Sequence, residues 1–200
     1  MPVAVISDRR TGGWSGAKEE LARCEIHPVM DLLDALKLQY QTDAHFTLGV
    51  IYEEENPLPA QPRLNKLSQA LTAVRNVGGD LLFQYMVVDI DHPDKKLGSY
   101  TPSELWCREH VALIPEEHRK GFGWYMTWGG MRLIWKLPAL VKAEQYEKLI
   151  QGLFQLLANA GVEPDRSCSD WSRLFRLPFV MREGMGLQQY PMELDGLADE

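Results

Sequence analysis

The sequence predicts an α+β fold in which a mostly antiparallel sheet is backed by helices. Strand-like and helix-like segments alternate irregularly along the 200 residues, which argues against the regular repeat of a parallel sheet. Two apolar runs separated by the glycines at positions 129 and 130 predict a β-hairpin in the middle of the chain. The hydrophobic fraction of 45% is sufficient for a buried core that needs no disulfide bonds.

The N-terminal part of the chain is predicted to contain two strands and two helices. Apolar residues indicate short strands at residues 3–6 and 46–52. The spacing of the leucines predicts that residues 18–40 are mostly helical and that residues 64–74 form an amphipathic helix. Residues 53–62 carry three prolines, so they are expected to form a loop that cannot join the interior of a sheet.

The central part is predicted to be a buried strand, a helix and a hairpin. Residues 85–91 are an apolar run that ends in two carboxylates, which is typical of a buried strand. A helix begins after Thr101, which is followed by a proline and then by a glutamate three residues on. The hairpin strands are expected at residues 124–128 and 132–137, and Pro138 is expected to end the second one.

The C-terminal part is predicted to contain the clearest helix of the chain and a last strand. Apolar residues recur at helical spacing over residues 142–160, and Gly161 follows as a stop signal. A loop over residues 162–171 leads to a strand over residues 173–180. From Glu183 onwards the chain is polar and glycine-rich, so we expect it either to be loosely ordered or to continue into a further part of a longer protein.

Composition limits the classes of function. The formal net charge of −7 argues against a general nucleic-acid coat, although a local basic groove remains compatible with it. No apolar run is long enough to span a bilayer, and the N-terminus lacks the pattern of a signal peptide. Three cysteines are an odd number, which favours reduced thiols and a cytoplasmic protein.

Two aspartates stand at the end of the predicted central strand. Side chains alternate along a strand, so Asp89 and Asp91 point to the same face. Like charges repel there, and a divalent cation between them would relieve the repulsion. Carboxylate oxygens suit Mg²⁺ or Mn²⁺. The alternative is a plain polar turn in which Asp91 serves as a turn or cap residue.

Further polar residues could bind phosphate. Glycines let a backbone approach a phosphate closely, and the hairpin carries Thr127, Gly129 and Gly130 directly before Arg132. Near the end of the chain, Asp165 precedes the pair Arg173 and Arg176, which are three residues apart. These two arginines point to opposite faces of a strand unless the strand bulges, twists or begins after Arg173. A polar loop and a surface strand are the alternatives for this region.

Together these segments resemble the archaeo-eukaryotic primase superfamily, specifically the primase-polymerase domains of phage and plasmid replication proteins. The resemblance spans about residues 81–180. Its first motif is the apolar strand ending in Asp89 and Asp91, and its second is the glycine turn at residues 129–130 before an apolar strand. Its third is an aspartate followed by an arginine-rich strand, here Asp165 and residues 173–178. Arg132 stands where the family has histidine.

The resemblance implies template-directed nucleotidyl transfer on an RRM-like palm. Asp89, Asp91 and Asp165 would be the catalytic residues and would hold two Mg²⁺ or Mn²⁺ ions. The arginines at 132, 173 and 176, with Thr127 and the glycines at 129 and 130, would bind the nucleoside triphosphate. Asp170 competes for the role of third carboxylate, although it is better suited to hold Arg173.

The resemblance also implies partners and a domain organisation. Residues 1–80 would be an N-terminal α/β part of the module, residues 81–182 the catalytic palm-like core, and residues 183–200 a tail or linker. The partners would be single-stranded DNA, nucleoside triphosphates and a helicase domain beyond the C-terminus, in a bacterial cell or a phage- or plasmid-infected host. Two alternatives stay open, a metal-dependent nuclease or replication initiator and a non-catalytic module that binds single-stranded nucleic acid.

Overall fold

The computed structural model shows an α+β protein with mostly antiparallel sheets and few helices. It describes residues 2–7, 25–26, 30–48, 50–52, 58–59, 80–97, 102–171, 173–182 and 184–198. The chain divides into two compact units, neither of which is continuous in sequence. Unit 1 takes its described residues from Met1–Gln84, Leu140–Ala143 and Asp170–Gln189, and unit 2 takes them from Tyr85–Ala139, Glu144–Ser169 and Tyr190–Glu200.

Unit 1 is built mainly on a five-stranded antiparallel sheet. Its strands are β1 (Pro2–Ser7), β2 (Glu25–Ile26), β3 (Met30–Asp31), β4 (His45–Thr47) and β10 (Leu174–Arg176). The order is β10-β4-β1-β2, and β3 also pairs with β1. Across β4 and β10 the buried rings of Phe46 and Phe175 lie 5.7 Å apart between centroids. Apolar side chains opposite each other on neighbouring strands therefore stabilise this sheet.

Four further strands and one helix also belong to unit 1. The helix α1 (Leu32–Lys37) begins at Asp31, whose carboxylate accepts a hydrogen bond from the backbone N–H of Leu33. The strands are β5 (Val50–Tyr52), β6 (Leu58–Pro59), β11 (Met181–Arg182) and β12 (Gly186–Leu187). β11 pairs with β12, and β5 pairs both with β6 and with residues 80–82 of the long strand β7 (Asp80–Asp91).

Unit 2 contains residues 85–91 of β7 and the sheet that positions the candidate site. Its other strands are β8 (Phe122–Thr127), residues 130–139 of β9 (Gly130–Lys142) and β13 (Met192–Glu193), in the order β13-β8-β9-β7. Two helices accompany it, α2 (Glu104–Leu113) and α3 (Ala143–Asn159). Val87 and Val88 are both fully buried, so apolar residues cover both faces of β7 before it reaches Asp89.

Several sequence predictions are confirmed. β1, β7, the hairpin of β8 and β9, α2 and α3 all form near the predicted positions. On α3 the buried side chains recur three or four residues apart, as the amphipathic pattern predicts. They are Tyr146, Ile150, Leu153, Phe154 and Leu157. The α2 cap is Ser103, whose side chain accepts from the N–H of Trp106, whereas the expected cap Thr101 lies outside the described residues.

Other predictions are wrong in detail. Residues 18–40 are not mostly helical in their described part, because β2 and β3 precede the short α1. The expected strand 46–52 is two strands, β4 and β5, and the proline-rich loop contains the short β6. β6 ends the strand order of its sheet, where a proline costs no internal hydrogen bond. The helix predicted at 64–74 lies outside the described residues.

The ends of three elements also differ from prediction. β9 continues past Pro138 to Lys142, because its register with β8 already ends at Trp135 and the proline need not donate to β8. The last predicted strand is shorter, since β10 covers only Leu174–Arg176. The tail is not loosely ordered at residues 190–198, where β13 pairs with β8 and Leu197 is buried. No helix among the described residues combines the length and apolar character needed to cross a bilayer.

Candidate functional site

The two aspartates that end β7 have different surroundings although they share a face. Asp89 is buried, with 8% of its surface exposed, whereas Asp91 is exposed. The strand runs from the core to the surface over these residues, so each step of two moves the carboxylate closer to water. Asp91 forms an ion pair with Lys95, which belongs to a 3₁₀ turn, Pro93–Leu97, just after the strand.

The loop that carries Asp165 is attached to the backbone of Asp89. The N–H of Asp165 donates to the carbonyl of Asp89 at 2.9 Å, and the N–H of Asp89 donates to Sγ of Cys168 at 3.3 Å. The side chain of Asp165 accepts from the N–H and the hydroxyl of Ser167 at 3.0 and 2.7 Å. The 3₁₀ turn Arg166–Ser169 and these bonds fix the loop against β7.

Asp89, Asp165 and Cys168 form a cluster of possible metal ligands. One ligand atom from each residue lies within 4.8 Å of those of the other two. We call these three residues the Asp-Asp-Cys cluster. The structure therefore brings together two of the three predicted carboxylates, while Asp91 is not a member of the cluster. Two carboxylate oxygens suit Mg²⁺ or Mn²⁺, and a sulfur atom suits softer cations.

Sequence reasoning missed Cys168. It lies three residues after Asp165, a separation that allows two ligands on one turn to face the same ion. That spacing was the available signal, but an aspartate and a cysteine three residues apart are common by chance. Only the contact between this turn and β7 makes the spacing informative.

Arg132 is held beside Asp89 by two contacts. Its Nε donates to Oδ1 of Asp89 at 2.5 Å, and one of its terminal nitrogens donates to the hydroxyl of Tyr125 at 3.0 Å. The side chains of Arg132 and Asp89 are each 12% exposed. Burial by itself would lower the pKa of Arg132, but the charge of Asp89 and these hydrogen bonds raise it above its ordinary value.

The hairpin register explains how Arg132 reaches this position. Arg132 on β9 lies opposite Tyr125 on β8, and its guanidinium carbon is 5.6 Å from the centroid of the tyrosine ring. Cross-strand neighbours on one face contact each other directly. Tyr125 therefore supplies both a face and a hydroxyl that keep the guanidinium directed at Asp89.

The approach of β9 to β7 explains the second of the two glycines. The turn consists of Trp128 and Gly129, one residue earlier than predicted, and Gly130 already pairs with Thr127. A Cβ atom on Gly130 would lie 2.0 Å from the carbonyl oxygen of Ile90, so only glycine is accommodated. Binding of a nucleotide by Thr127 and the two glycines stays a prediction.

Arg173 and Arg176 belong to unit 1, whereas Asp89, Asp165 and Arg132 belong to unit 2. β10 begins after Arg173, so the alternation of side chains along a strand does not force Arg173 and Arg176 onto opposite faces. Arg176 donates two hydrogen bonds to Asp43, at 2.7 and 3.0 Å. Burial alone would raise the pKa of Asp43, but the hydrogen bond from Arg176 and nearby positive charges lower it overall. A role for either arginine in nucleotide binding stays a prediction.

No protein-family model, curated protein or solved structure matches the chain. The arrangement of the side chains in unit 2 is therefore the basis on which a function is proposed.

Proposed function

We propose that the chain is a primase-polymerase catalytic domain that transfers nucleotides along a single-stranded DNA template. The observation that supports it is the approach of Asp89 and Asp165, which come from distant parts of the sequence, to within 4.8 Å beside Arg132. In this proposal the sheet of unit 2, with β7 and the hairpin, corresponds to the RRM-like palm. The domain acts in the cytoplasm of a bacterial cell or of an infected host.

Asp89 and Asp165 would hold the Mg²⁺ or Mn²⁺ that such a reaction requires. When bound, the metal supplies Lewis acidity toward the 3′-hydroxyl and positive charge toward the triphosphate. Asp91 would join from the more exposed side, once the metal replaces Lys95 as the partner of its carboxylate. Because Asp165 is fixed through its backbone to Asp89, the two carboxylates stay close before any ligand arrives.

Arg132 has two possible partners in this proposal. In the structure its guanidinium neutralises Asp89, whereas a triphosphate presents more negative charge and allows two parallel hydrogen bonds. The arriving triphosphate would attract Arg132 away from Asp89. The Asp89 carboxylate would then be available to the metal. Tyr125 keeps the guanidinium at the hairpin during this exchange, so it acts as a positioning residue. Nucleotide binding would therefore strengthen the binding of the metal.

One observation favours a second candidate, a module that binds single-stranded nucleic acid without catalysis. A carboxylate already paired with a mostly buried arginine needs no metal ion for its stability. In that case Arg132 would be a permanent partner of Asp89. The two candidates differ in whether Asp89 becomes available to a metal.

The deciding experiment measures nucleotide incorporation. The protein is incubated with labelled ribo- or deoxynucleoside triphosphates, single-stranded DNA and Mn²⁺ or Mg²⁺. We expect extension by the wild type, its loss in D89A and D165A, and its retention in D94A, because Asp94 lies after β7 and outside the cluster. Template binding without extension in the wild type would favour the non-catalytic module, and template degradation that requires Asp89 would indicate a nuclease.

A further inference from the structure

Cys168 is the member of the Asp-Asp-Cys cluster that the proposed chemistry does not use. We infer that Cys168 is a third protein ligand of the cation at this cluster and that the site consequently prefers thiophilic cations. The inference rests on the proposed function in one respect, since it adds a ligand to the same cation site. Its test reads the metal–sulfur bond directly and is independent of nucleotide transfer.

The distances in the cluster suit a shared ion. Structural metal sites place sulfur at about 2.3 Å and carboxylate oxygen at about 2.1 Å from the ion, so the two donors are about 3.6 Å apart in tetrahedral geometry. The ligand atoms of Asp89, Asp165 and Cys168 already lie within 4.8 Å of one another. Side-chain shifts of about 1 Å would close the set around one cation in that geometry.

The backbone preorganises two of the three ligands. The N–H of Cys168 donates to the carbonyl of Asp165 at 3.0 Å, which closes a single turn between them. Two ligands with two residues between them are a recurrent spacing in structural zinc sites. The third ligand, Asp89, comes from β7 and is bound to both ends of this turn through its own backbone. Little chain entropy would be lost when an ion binds.

Cys107 shows that burial alone does not produce this arrangement. It is also fully buried and forms no disulfide bond, but it lies on α2 and belongs to no metal-ligand cluster among the described residues. Burial, followed by the charge of Glu104, raises the pKa of the Cys107 thiol to about 12. The sulfur of Cys168 instead lies within 4.8 Å of a carboxylate oxygen of Asp89 and of Asp165.

Coordination at Cys168 breaks the S–H bond and forms a metal–sulfur bond, and the proton passes to the buffer. Sulfur is a poor ligand for Mg²⁺, an acceptable one for Mn²⁺ and a good one for Zn²⁺ and Cd²⁺. We therefore expect the affinity of the cluster to rise in the order Mg²⁺, Mn²⁺, Cd²⁺. Replacing Cys168 by serine should reduce the preference for Cd²⁺ over Mg²⁺.

Cadmium is the probe, because a bond between Cd²⁺ and a thiolate gives a charge-transfer absorption in the ultraviolet. The protein is the full chain with the C24S and C107S substitutions, whose single cysteine is then Cys168. The matched control carries C24S and C168S and retains only the buried Cys107. We expect saturation at one equivalent of Cd²⁺ in the first protein and no band in the control. Adding D165N to the first protein should weaken Cd²⁺ binding by about tenfold or more.

The inference is overturned if the Cys168-only protein gives no band, or if the control gives an equal one. Should either variant fail to fold, X-ray absorption on Cd²⁺-loaded wild type and C168S decides. A sulfur neighbour lost in C168S supports the inference, and an all-oxygen site in the wild type or a sulfur neighbour kept in C168S refutes it. A band without primer extension would count against the polymerase alone, and extension without a band would count against Cys168 alone.

Discussion

Replacing Arg132 by methionine removes a guanidinium while keeping much of its apolar volume. Asp89 then remains with 12% of its side chain exposed and without the cation that neutralises it. Removing one partner of a buried ion pair costs about 3–5 kcal/mol, and the residual access of water places the cost for this pair at about 3 kcal/mol. For a chain of this size that loss lowers the melting temperature by about 6–12 °C.

Mn²⁺ should reverse most of this loss if Asp89 belongs to a cation site. A ligand present at a hundred times its dissociation constant adds about 2.7 kcal/mol to the folded state. R132M has its carboxylate available, whereas in the wild type Arg132 competes for it. Thermal unfolding followed by circular dichroism, with and without Mn²⁺, should therefore show a larger rise in melting temperature for R132M than for the wild type.

The control is the double variant R132M/D89N, in which a neutral amide replaces the carboxylate. It should unfold at a higher temperature than R132M without metal and should gain little from Mn²⁺. The reasoning is refuted if R132M melts within about 2 °C of the wild type. Equal stabilisation of R132M and the double variant by Mn²⁺ would also refute it, because the ion would then bind elsewhere.

Three further outcomes are expected. G130A should lower the free energy of unfolding by about 1–3 kcal/mol, since its Cβ would overlap a backbone carbonyl. G129A should be nearly neutral, because the nearest neighbour of its Cβ is 3.6 Å away. Urea denaturation of the two variants measures the difference. Below about pH 4 the wild type should lose stability as the pH falls through the lowered pKa of Asp43, because the ion pair between Asp43 and Arg176 contributes only while the carboxyl is ionised. A D43N variant whose stability depends on acid in the same way would contradict this. W128A should weaken binding of single-stranded DNA by about 1–3 kcal/mol without changing the melting temperature, since this side chain is 48% exposed. Unchanged binding in a filter or anisotropy assay would exclude stacking of a DNA base on Trp128.

The parts of the fold that the sequence predicts well are those with strong local patterns. β7 is a continuous apolar run, α3 has a full helical stripe, and the hairpin is marked by adjacent glycines. The helix expected over residues 18–40 fails where β2 and β3 pair with β1, because contacts with a distant strand outweigh local helical spacing.

The candidate site shows the same division. Asp89 could be identified because it ends a buried strand, and Arg132 because it follows a glycine turn. Cys168 and the pairing of Asp91 with Lys95 depend on how a loop and a 3₁₀ turn fold against β7. No periodic pattern encodes such contacts, so they become visible only in three dimensions.

The turn from Asp165 to Cys168 has one more consequence, for the solubility of the protein. Within the described part of the chain, β5 pairs with β7 over residues 80–82. Further along β7, Asp89 bonds through both its N–H and its carbonyl to this turn. The turn thus occupies hydrogen-bonding groups that another molecule's strand would otherwise pair with. Substitutions that detach the turn would expose unpaired backbone groups at the edge of the sheet. Such variants should be checked for self-association before a loss of activity is attributed to the chemistry of the site.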